Sequence, residues 1–529
     1  MKNKFSLSRR DFLRTTTIAS VPLVLGLFPL SARAVPLLSK GLADSDRVLV
    51  LVQLQGGNDG LNTVIDLNQY DALQAVRGNL LIPEPKVLKL NHDGLGFHPS
   101  MVGMKELWER DTLCVIQNVG YPDQNRSHFR STDIWNSGSP ADEYLETGWM
   151  GRYYDLDFAG YPAGYPTIQY PHPFALTMGK SVSETCQGVT ANYSLALEDP
   201  FKPGMALVGA LGDIPADCYG DALTYVNSTV TQANAYAEAI RKAAEAGRNL
   251  STKYQESGNT PLGTALKHVA RLISGGLQTR FYIVQLGGFD THDNQVVSGA
   301  PETGKHAELL KELSDAIAAF QDDVELLGIG SRVMGLTYSE FGRRIRSNAG
   351  LGSDHGTAAP HFLFGSCAKN QILGDAAVID TQVGIEDGVP MQYDFRDMFG
   401  TLLNQWLGAS AAEVSRLLLP SYSPLPIISE SCIGSVDVQP QIEANLGDIH
   451  IYPNPTRDQV VINLVGTGRH VTLRIFDGLG AVVHEIASRT FIPGEHLLRL
   501  SLNDLQSGTY WLHYQSMGHS VTRRITKLR

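Results

Sequence analysis

The chain has 529 residues, of which 43% are hydrophobic and 18% are charged, and its formal net charge is −11. This composition is typical of globular domains and excludes a largely disordered chain. The acidic balance excludes a broad basic surface, so we expect no nucleic-acid partner. The length is sufficient for two or three domains.

The first 34 residues have the features of an export signal. Ser8–Arg14, with the sequence SRRDFLR, matches the twin-arginine export pattern, and the weakly apolar Thr15–Leu30 follows it. Ala32–Ala34 fits the small-x-small cleavage rule. The alternative, a membrane anchor, is disfavoured because Pro22 and Pro29 interrupt the apolar stretch. We therefore expect a twin-arginine signal peptide over residues 1–34, the twin-arginine machinery as a partner, and export to the periplasm.

Residues 35–410 predict an α/β domain with a mostly parallel sheet flanked by helices. Four apolar runs have the length of strands: Arg47–Leu54, Leu113–Val119, Thr279–Leu286 and Arg332–Tyr338. Such runs fit strands buried on both faces of a parallel sheet. Helical patterns lie between them, among them the amphipathic His306–Leu327, and this alternation favours right-handed crossovers.

Each of these strands is followed by a polar, glycine-rich loop. Ligands of open α/β sheets gather at the carboxyl ends of strands. The loops offer three carboxylates and three imidazoles, namely Asp59, Asp290, His292, Asp354, His355 and His361. These are ordinary ligands for divalent metal ions, and six of them are enough for two. The open alternative for Asp354-His355-Gly356 is a tight turn with a capping Asp and a surface His.

The five cysteines have no metal-ligand spacing, which argues against a zinc finger. An exported chain can keep disulfides. Cys186 and Cys218 lie in the same loop-rich region, so a bridge between them is the prediction. Cys114 lies in an apolar strand and is expected to be a small buried residue.

Residues 411–448 predict a linker, and residues 449–529 a small all-β sandwich of alternating strands separated by turns. Four segments, 451–456, 476–480, 505–510 and the basic 523–529, resemble the C-terminal sorting domain of type IX secretion. This resemblance implies the type IX machinery as a partner and secretion or anchoring at the cell surface. The alternative is an immunoglobulin-like binding module.

Residues 47–410 resemble the twin-arginine-exported family called domain of unknown function 1501, which is related to the alkaline phosphatase and sulfatase superfamily. The motifs that carry the resemblance are LQGGNDGLNT (54–63), GYPDQNRSHFRSTDIWNSG (120–138), GWMGRY (148–153), GGFDTHDNQ (287–295) and SDHGTAAPHFLFG (353–365). The resemblance implies a sulfatase-like fold and an exported, metal-dependent hydrolase of phosphate or sulfate esters. A non-catalytic cell-surface binding protein with the same fold is the alternative.

The resemblance also assigns roles to individual residues. Asp59 and the pair Asp354-His355 correspond to ligands of one metal, and Asp290 and His292 to ligands of the other. His361 corresponds to the last His, Ser127 to the nucleophile, and Ser131 is the second candidate for that role. Zn, Mn and Ca are the expected metals. The spacings at Asp290/His292 and at His361 are shorter than in the superfamily, so one metal, two or none stay open.

Several polar residues near these motifs have a structural alternative. Ser127 can serve as a helix N-cap, and His128 is expected to be a partly buried residue with satisfied hydrogen bonds. His98 and His306 are further candidate ligands. Arg126 or Arg130 offers a guanidinium for an anionic ester group.

Replacing both signal arginines, Arg9→Lys with Arg10→Lys, is expected to block export of the precursor, because the twin-arginine route recognises the arginine pair. Immunoblotting of cytoplasmic and periplasmic fractions measures the outcome. Unchanged export of the doubly substituted precursor would indicate a different route.

Overall fold

The computed structural model describes the first part of the chain over residues 46–92, 94–158, 160–203, 215, 217–257, 259–418 and 422–433. In the C-terminal part it describes 450–452, 454, 456–466, 470–477, 481–490, 494–516 and 519–528. The chain divides into two units, Met1–Gly434 and Ser435–Arg529. The twin-arginine segment and its predicted cleavage site lie outside the described residues.

The first unit contains twelve strands within the described ranges. They are β1 (Val48–Gln55), β2 (Val64–Asp66), β3 (Leu88–Lys89), β4 (Leu95–Phe97), β5 (Leu113–Gly120), β6 (Ala175–Met178), β7 (Ser194–Leu197), β8 (Phe281–Gly287), β9 (Val333–Tyr338), β10 (Ala359–Phe364), β11 (Gln371–Leu373) and β12 (Tyr393–Asp394). All four strands predicted from the apolar runs are present, as β1, β5, β8 and β9.

The α-helices of the same unit lie between and after these strands. They are α1 (Gly60–Thr63), α2 (Tyr70–Arg77), α3 (Val102–Glu109), α4 (His128–Ser137), α5 (Trp149–Asp155), α6 (Cys218–Ala246), α7 (Tyr254–Ser257), α8 (Pro261–Ser274), α9 (Lys305–Leu326), α10 (Phe395–Thr401) and α11 (Ala411–Leu417). A π-helical turn, Leu402–Trp406, continues α10.

The central sheet has nine strands, ordered β11-β5-β10-β9-β1-β8-β6-β7, with β12 beside β5. Strand β1 runs parallel to β8 and β9, and β6 runs parallel to β7 and β8. Strand β10 lies antiparallel to both β5 and β9. The sheet is therefore mostly parallel and flanked by helices, and the predicted α/β fold class is confirmed.

The strands form in the middle of the sheet because they are apolar on both faces. All residues of β1 except Gln55 are buried, and every residue of β5 and β9 is buried. One face packs against α8 and α9 through residues such as Leu266 and Leu313. The other face packs against aromatic residues such as Trp149 and Phe399. Burial on both faces fixes the strand ends, and the polar loops with them, at defined positions.

The direction of β10 determines where the residues before it lie. Because β10 is antiparallel to β9, its first residue, Ala359, lies at the edge where β1, β5, β8 and β9 end. Asp354 and His355 precede β10 and reach that edge. His361 lies inside the strand, paired with Ile116 of β5, and is buried. The sheet therefore separates His361 from the pair with which it was predicted to act.

Residues 411–433, predicted as linker, differ from that expectation where the structure describes them. Residues 411–417 form α11, which begins with a capping box at Ser410 and Glu413. Ile427 is buried, and Cys432 forms a disulfide with Cys367. The predicted Cys186–Cys218 bridge is wrong, because Cys186 is a free, buried thiol. The domain boundaries otherwise stay predictions.

The second unit is all-β, as predicted. A three-stranded sheet contains β13 (His450–Tyr452), β14 (Gln459–Gly466) and β17 (Gly494–Ser501). A four-stranded sheet contains β15 (His470–Phe476), β16 (Val482–Thr490), β18 (Gly508–Ser516) and β19 (His519–Lys527). All pairings between these strands are antiparallel, and alternate residues such as Val460, Ile462 and Leu464 are buried in its core.

Among the described residues, no helix combines the length and the apolar character needed to cross a membrane.

The Cys367–Cys432 disulfide closes a loop of 65 residues in sequence. Cys432→Ser is expected to lower the free energy of unfolding of the first unit by about 2–4 kcal/mol, because the unfolded chain regains the entropy of that loop. Thermal unfolding with and without a reducing agent measures the effect. Cys114→Ser is the control for loss of a thiol: the reducing agent should lower its free energy of unfolding as much as it lowers that of the wild type. If the agent lowers the free energy of unfolding equally in the wild type and in Cys432→Ser, the disulfide does not have this role.

Candidate metal centre

Four loops of the first unit meet at the edge where the parallel strands end. They follow β1, β5, β8 and β9, and the last of them runs on into β10. The loop after β5 ends at Ser127, and His128 begins α4. Asp290 and His292 follow β8, Glu340 follows β9, and His355 precedes β10.

The ligand-type atoms of His128, Asp290 and His355 lie within 4.8 Å of one another. The Oδ1 atom of Asp290 is 3.4 Å from Nε2 of His128 and 3.3 Å from Nε2 of His355. Nε2 of His292 lies 3.1 Å from the same oxygen and 2.8 Å from Nε2 of His355. Three imidazole nitrogens thus converge on one carboxylate oxygen. We call these four side chains the His3Asp cluster.

The opposite ring nitrogen of each histidine has its own acceptor. Nδ1 of His128 lies 2.8 Å from a carboxylate oxygen of Glu340, and Nδ1 of His292 lies 2.8 Å from a carboxylate oxygen of Asp354. Nδ1 of His355 donates to the main-chain carbonyl of Arg126 at 2.8 Å. A carbonyl only accepts, so this nitrogen carries a proton. Histidines that bind metals are usually oriented by such a bond from the second nitrogen.

Glu340 connects three of the converging segments. Its side chain is almost fully buried and accepts from the main-chain N–H of Gly56 at 2.8 Å, beside His128. Its main-chain carbonyl accepts from the Ser131 hydroxyl and from the Trp135 indole of α4. The ring of Phe341 packs against both His128 and His355, with centroids 4.9 and 4.7 Å apart. The rings of His128 and His355 are therefore held both by the packing of Phe341 and by the hydrogen bonds of their Nδ1 atoms.

The surroundings shift the pKa values of the cluster in different directions. The hydrogen bond to Glu340 raises the pKa of His128 against the opposing effect of burial. Burial lowers the pKa of His355 despite its bond to Arg126. Burial alone would raise the pKa of Asp290, but the bond and charge of Arg343 outweigh it and lower this pKa to about 2. Asp290 is thus an anion at neutral pH.

The donor set fits a divalent cation. A neutral imidazole whose proton is on Nδ1 presents a lone pair on Nε2, and two such lone pairs repel each other. The 2.8 Å between Nε2 of His292 and Nε2 of His355 therefore needs a proton or a cation between the two nitrogens. Nε2 of His128 is buried without a hydrogen-bond partner among the described residues. Ligand atoms of a tetrahedral zinc site are about 3.3 Å apart, close to the separations found here. Three nitrogens and one oxygen suit zinc better than calcium, which takes oxygen ligands.

Asp59, predicted as a ligand, lies elsewhere. Its carboxylate is buried and accepts from both terminal nitrogens of Arg77, at 3.0 and 2.5 Å, and from Gln295 at 2.6 Å. Burial alone would raise the pKa of Asp59, but Arg77, His306 and Gln295 lower it. A guanidinium therefore neutralises this carboxylate, in the role that the sequence assigned to a metal ion.

The two further histidine candidates also lie near Asp59. Nε2 of His306 is 3.0 Å from Oδ1 of Asn58, and its ring contacts that of His98 with centroids 6.0 Å apart. Burial lowers the pKa of His306 to about 4 and that of His98 to about 3. Both are neutral residues of a buried polar network at neutral pH.

The other predicted site residues divide into those at the cluster and those away from it. Asp354 stands behind His292, where Asn348 and Arg344 also contact its carboxylate at 3.2 and 3.3 Å. It therefore orients a candidate ligand. His361 is buried with its ring edge-on to Trp135, and neither ring nitrogen has a partner among the described residues.

The two serine candidates differ in availability. Ser127 is exposed and occupies the N-cap position of α4, but its hydroxyl makes no capping hydrogen bond. Ser131 is fully buried, and its hydroxyl donates to the Glu340 carbonyl at 2.5 Å. Ser127, directly before His128, is therefore the hydroxyl free to react.

Sequence reasoning missed two residues of the centre. The sequence predicts His128 to be a partly buried residue with satisfied hydrogen bonds, and Glu340 is not among the predicted site residues. Both stand directly after a polar loop or strand that the sequence did identify, within RSHFR (126–130) and YSE (338–340). A carboxylate that directly follows an apolar strand was the available signal.

The arginines near the cluster have unequal freedom. Arg130 is engaged by the main-chain carbonyls of Pro140, Ala141 and Glu143. Its guanidinium also stacks on Tyr144 at 3.8 Å. Arg126 keeps a third of its side chain exposed. Arg126 is thus the one of the two predicted anion-binding candidates that can reach solvent.

Comparison with solved structures gives matches of low similarity. A protein in the alkaline phosphatase superfamily from Vibrio parahaemolyticus has a TM-score of 0.34 and 11% identity, covering 79% of this chain and 77% of that one. The PsFucS1 sulfatase from Pseudoalteromonas sp. has a TM-score of 0.30 and 9% sequence identity, and the match covers 88% of this chain and 83% of that one. The phosphonate monoester hydrolase of Silicibacter pomeroyi has a TM-score of 0.30 and 9% sequence identity, and the match covers 91% of this chain and 89% of that one. These scores are too low to transfer any role to this chain.

Two family models match the sequence. Residues 224–407 match the family described as protein of unknown function (DUF1501), and residues 450–527 match the secretion system C-terminal sorting domain. The resemblance to the first family is thus confirmed over residues 224–407, which contain two of its five motifs, and the resemblance to the sorting domain is confirmed over residues 450–527. The sorting domain indicates type IX secretion to the cell surface or outside. No curated protein matches the chain.

The Asp59–Arg77 pair is expected to be structural. Arg77→Met should lower the free energy of unfolding by about 3–5 kcal/mol, because it leaves a buried carboxylate without its cation. Chemical denaturation of the purified protein measures the loss. Arg110→Met is the matched control: its pair with Glu325 is exposed at the surface and should be worth about 0–1 kcal/mol. Equal effects of the two substitutions would contradict the assignment.

Proposed function

We propose that this protein is an exported, metal-dependent hydrolase of phosphate or sulfate esters. The His3Asp cluster carries the proposal. Each of its three imidazoles is bonded through Nδ1 to an acceptor behind it, and each directs Nε2 toward Asp290. In this proposal the residues that hold the cation are His128, Asp290, His292 and His355.

A zinc-like ion bound there would polarise an ester oxygen and lower the pKa of a bound water or hydroxyl. The protein's own contribution is to hold the four ligands. Glu340, Asp354 and the Arg126 carbonyl fix the ring orientations, and Arg343 contacts Asp290 at 2.8 Å. One cation is proposed, because Asp59 is already neutralised by Arg77.

Ser127 is the proposed nucleophile. It adjoins the candidate ligand His128 in sequence, is exposed, and has a hydroxyl that is not used to cap α4. An oxygen nucleophile needs a base or a nearby cation to lose its proton at neutral pH. The second serine, Ser131, is disfavoured because its hydroxyl hydrogen is donated to Glu340.

Export is proposed to occur in two stages. The twin-arginine pattern at residues 8–14 supports passage to the periplasm of a folded chain. The sorting domain supports transfer across the outer membrane by the type IX machinery. The substrate ester would then be met at or beyond the cell surface.

The metal assignment predicts graded effects. His355→Gln should abolish stoichiometric metal, because it removes a ligand. Asp354→Asn should keep the metal but weaken its affinity by about 10–100-fold, because it disturbs only the residue behind His292. Metal content by elemental analysis and metal affinity by chelator competition are the measurements. His92→Gln, at an exposed histidine outside the cluster, is the control that should keep wild-type metal; wild-type metal in His355→Gln would contradict the assignment.

The nucleophile assignment predicts a separate loss. Ser127→Ala should retain metal and fold but lose turnover by at least about 100-fold, since the attacking group is gone. A panel of aryl phosphates, phosphodiesters and sulfates with added metals measures activity. Metal binding without turnover of any ester by the wild-type protein would instead favour the non-catalytic binding protein.

A further inference from the structure

Two arginines beside the His3Asp cluster point at the same exposed carboxylate. The terminal nitrogen of Arg344 lies 2.5 Å from Oε2 of Glu386, and that of Arg126 lies 3.8 Å from the same atom. Arg126 also donates to the main-chain carbonyl of Glu386 at 2.7 Å. Glu386 exposes 63% of its side chain, whereas Arg344 exposes 19% and Arg126 32%.

Both arginines are fixed relative to the cluster. The carbonyl of Arg126 accepts from His355, and a terminal nitrogen of Arg344 contacts Asp354 at 3.3 Å. Arg343, the next residue along the chain, is different, because its guanidinium is buried and fully engaged by carbonyls and Asp290. The guanidiniums with spare capacity at this rim are thus those of Arg126 and Arg344.

The contact with Glu386 leaves donors unused. Nε of Arg344 is buried without a hydrogen-bond partner among the described residues. A planar carboxylate held through one oxygen cannot satisfy two guanidiniums, whereas a tetrahedral oxyanion offers three oxygens in different directions. An exposed ion pair is worth only about 0–1 kcal/mol, so the Glu386 carboxylate is easily displaced.

The main chain on the C-terminal side of Glu386 is bonded to the segment that carries Arg344. Ile345 N–H donates to the Asp387 carbonyl at 3.0 Å, and Arg344 forms a β-bridge with Gly388. The loop that carries Glu386 is therefore held to the segment that carries Arg344. Because this loop is held and the Glu386 side chain is 63% exposed, we expect the carboxylate to leave the two arginines by rotation of its side chain.

We propose that Arg126 and Arg344 form a subsite for a second sulfate or phosphate group of the substrate, and that Glu386 fills it in the free protein. This inference rests on the proposed function and extends it. The substrate class is then a polyanionic ester, of which one oxyanion is cleaved at the cluster while a second is held by the two guanidiniums.

Binding of two non-hydrolysable probes, 1,3-benzenedisulfonate and benzenesulfonate, tests the subsite by calorimetry on the purified full chain with zinc added. The wild type should bind the disulfonate at least about tenfold more tightly, because charge-assisted hydrogen bonds to a second group add to the first. Arg344→Gln and Arg126→Gln should each remove most of this preference. Glu386→Gln should strengthen disulfonate binding, because the competing carboxylate is lost.

Arg346→Gln is the matched control. Arg346 donates to the carbonyls of Val383 and Thr381 and so holds the same loop without facing Glu386. It should keep the preference for the disulfonate. Equal affinities for the two probes in the wild type, or a preference that survives in both Arg126→Gln and Arg344→Gln, would overturn the subsite, as would equal loss in Arg346→Gln.

The ester panel separates this outcome from that of the proposed function. Hydrolysis by a protein with equal probe affinities overturns the subsite alone. A clear preference for the disulfonate without hydrolysis of any ester supports the subsite and overturns the hydrolase.

Discussion

The candidate centre depends on one buried guanidinium, that of Arg343. It donates to the carbonyls of Gly56, Gly57, Phe289 and Ser353 and to the carboxylate of Asp290. These acceptors belong to the loop after β1, the loop after β8 and the segment before β10. Carbonyls at strand ends lack partners in the sheet, and burying them without a donor would be costly. One side chain satisfies them and at the same time fixes the distance between the loops that supply the ligands.

Asp59 and Asp290 lie at the same edge of the sheet, and the arginine beside each carboxylate determines its role. Asp59 is fully buried beside Arg77, so its charge is balanced within the protein. Asp290 is half exposed and faces both Arg343 and three imidazole nitrogens. A balanced buried pair gives stability at a cost in desolvation. The Asp290 carboxylate is only half buried, and three imidazole nitrogens face it beside Arg343. It therefore keeps the capacity to bind a further cation.

Sequence patterns were sufficient for the central strands of the sheet and for part of the candidate site. Continuous apolar runs identified β1, β5, β8 and β9, because burial on both faces leaves no other pattern, and the loops after them held Asp290, His292 and His355. The patterns could not show that β10 runs antiparallel, which buries His361, nor that Arg77 reaches Asp59 from eighteen residues away. Both depend on tertiary packing. The disulfide was missed for the same reason, since Cys367 and Cys432 are 65 residues apart.

The disulfide has a consequence for how the first unit ends. Cys432 lies two residues before the boundary at Gly434, and its bond to Cys367 ties the last described segment of this unit to the residues that follow β10. Chain termini usually fray and are the preferred sites of proteolysis. A protease that cuts anywhere after the boundary would release a unit whose new terminus is already cross-linked. Because β10 starts at the edge that carries the His3Asp cluster and Cys367 follows its other end, shedding of the sorting domain would leave the opposite edge of the sheet covalently closed.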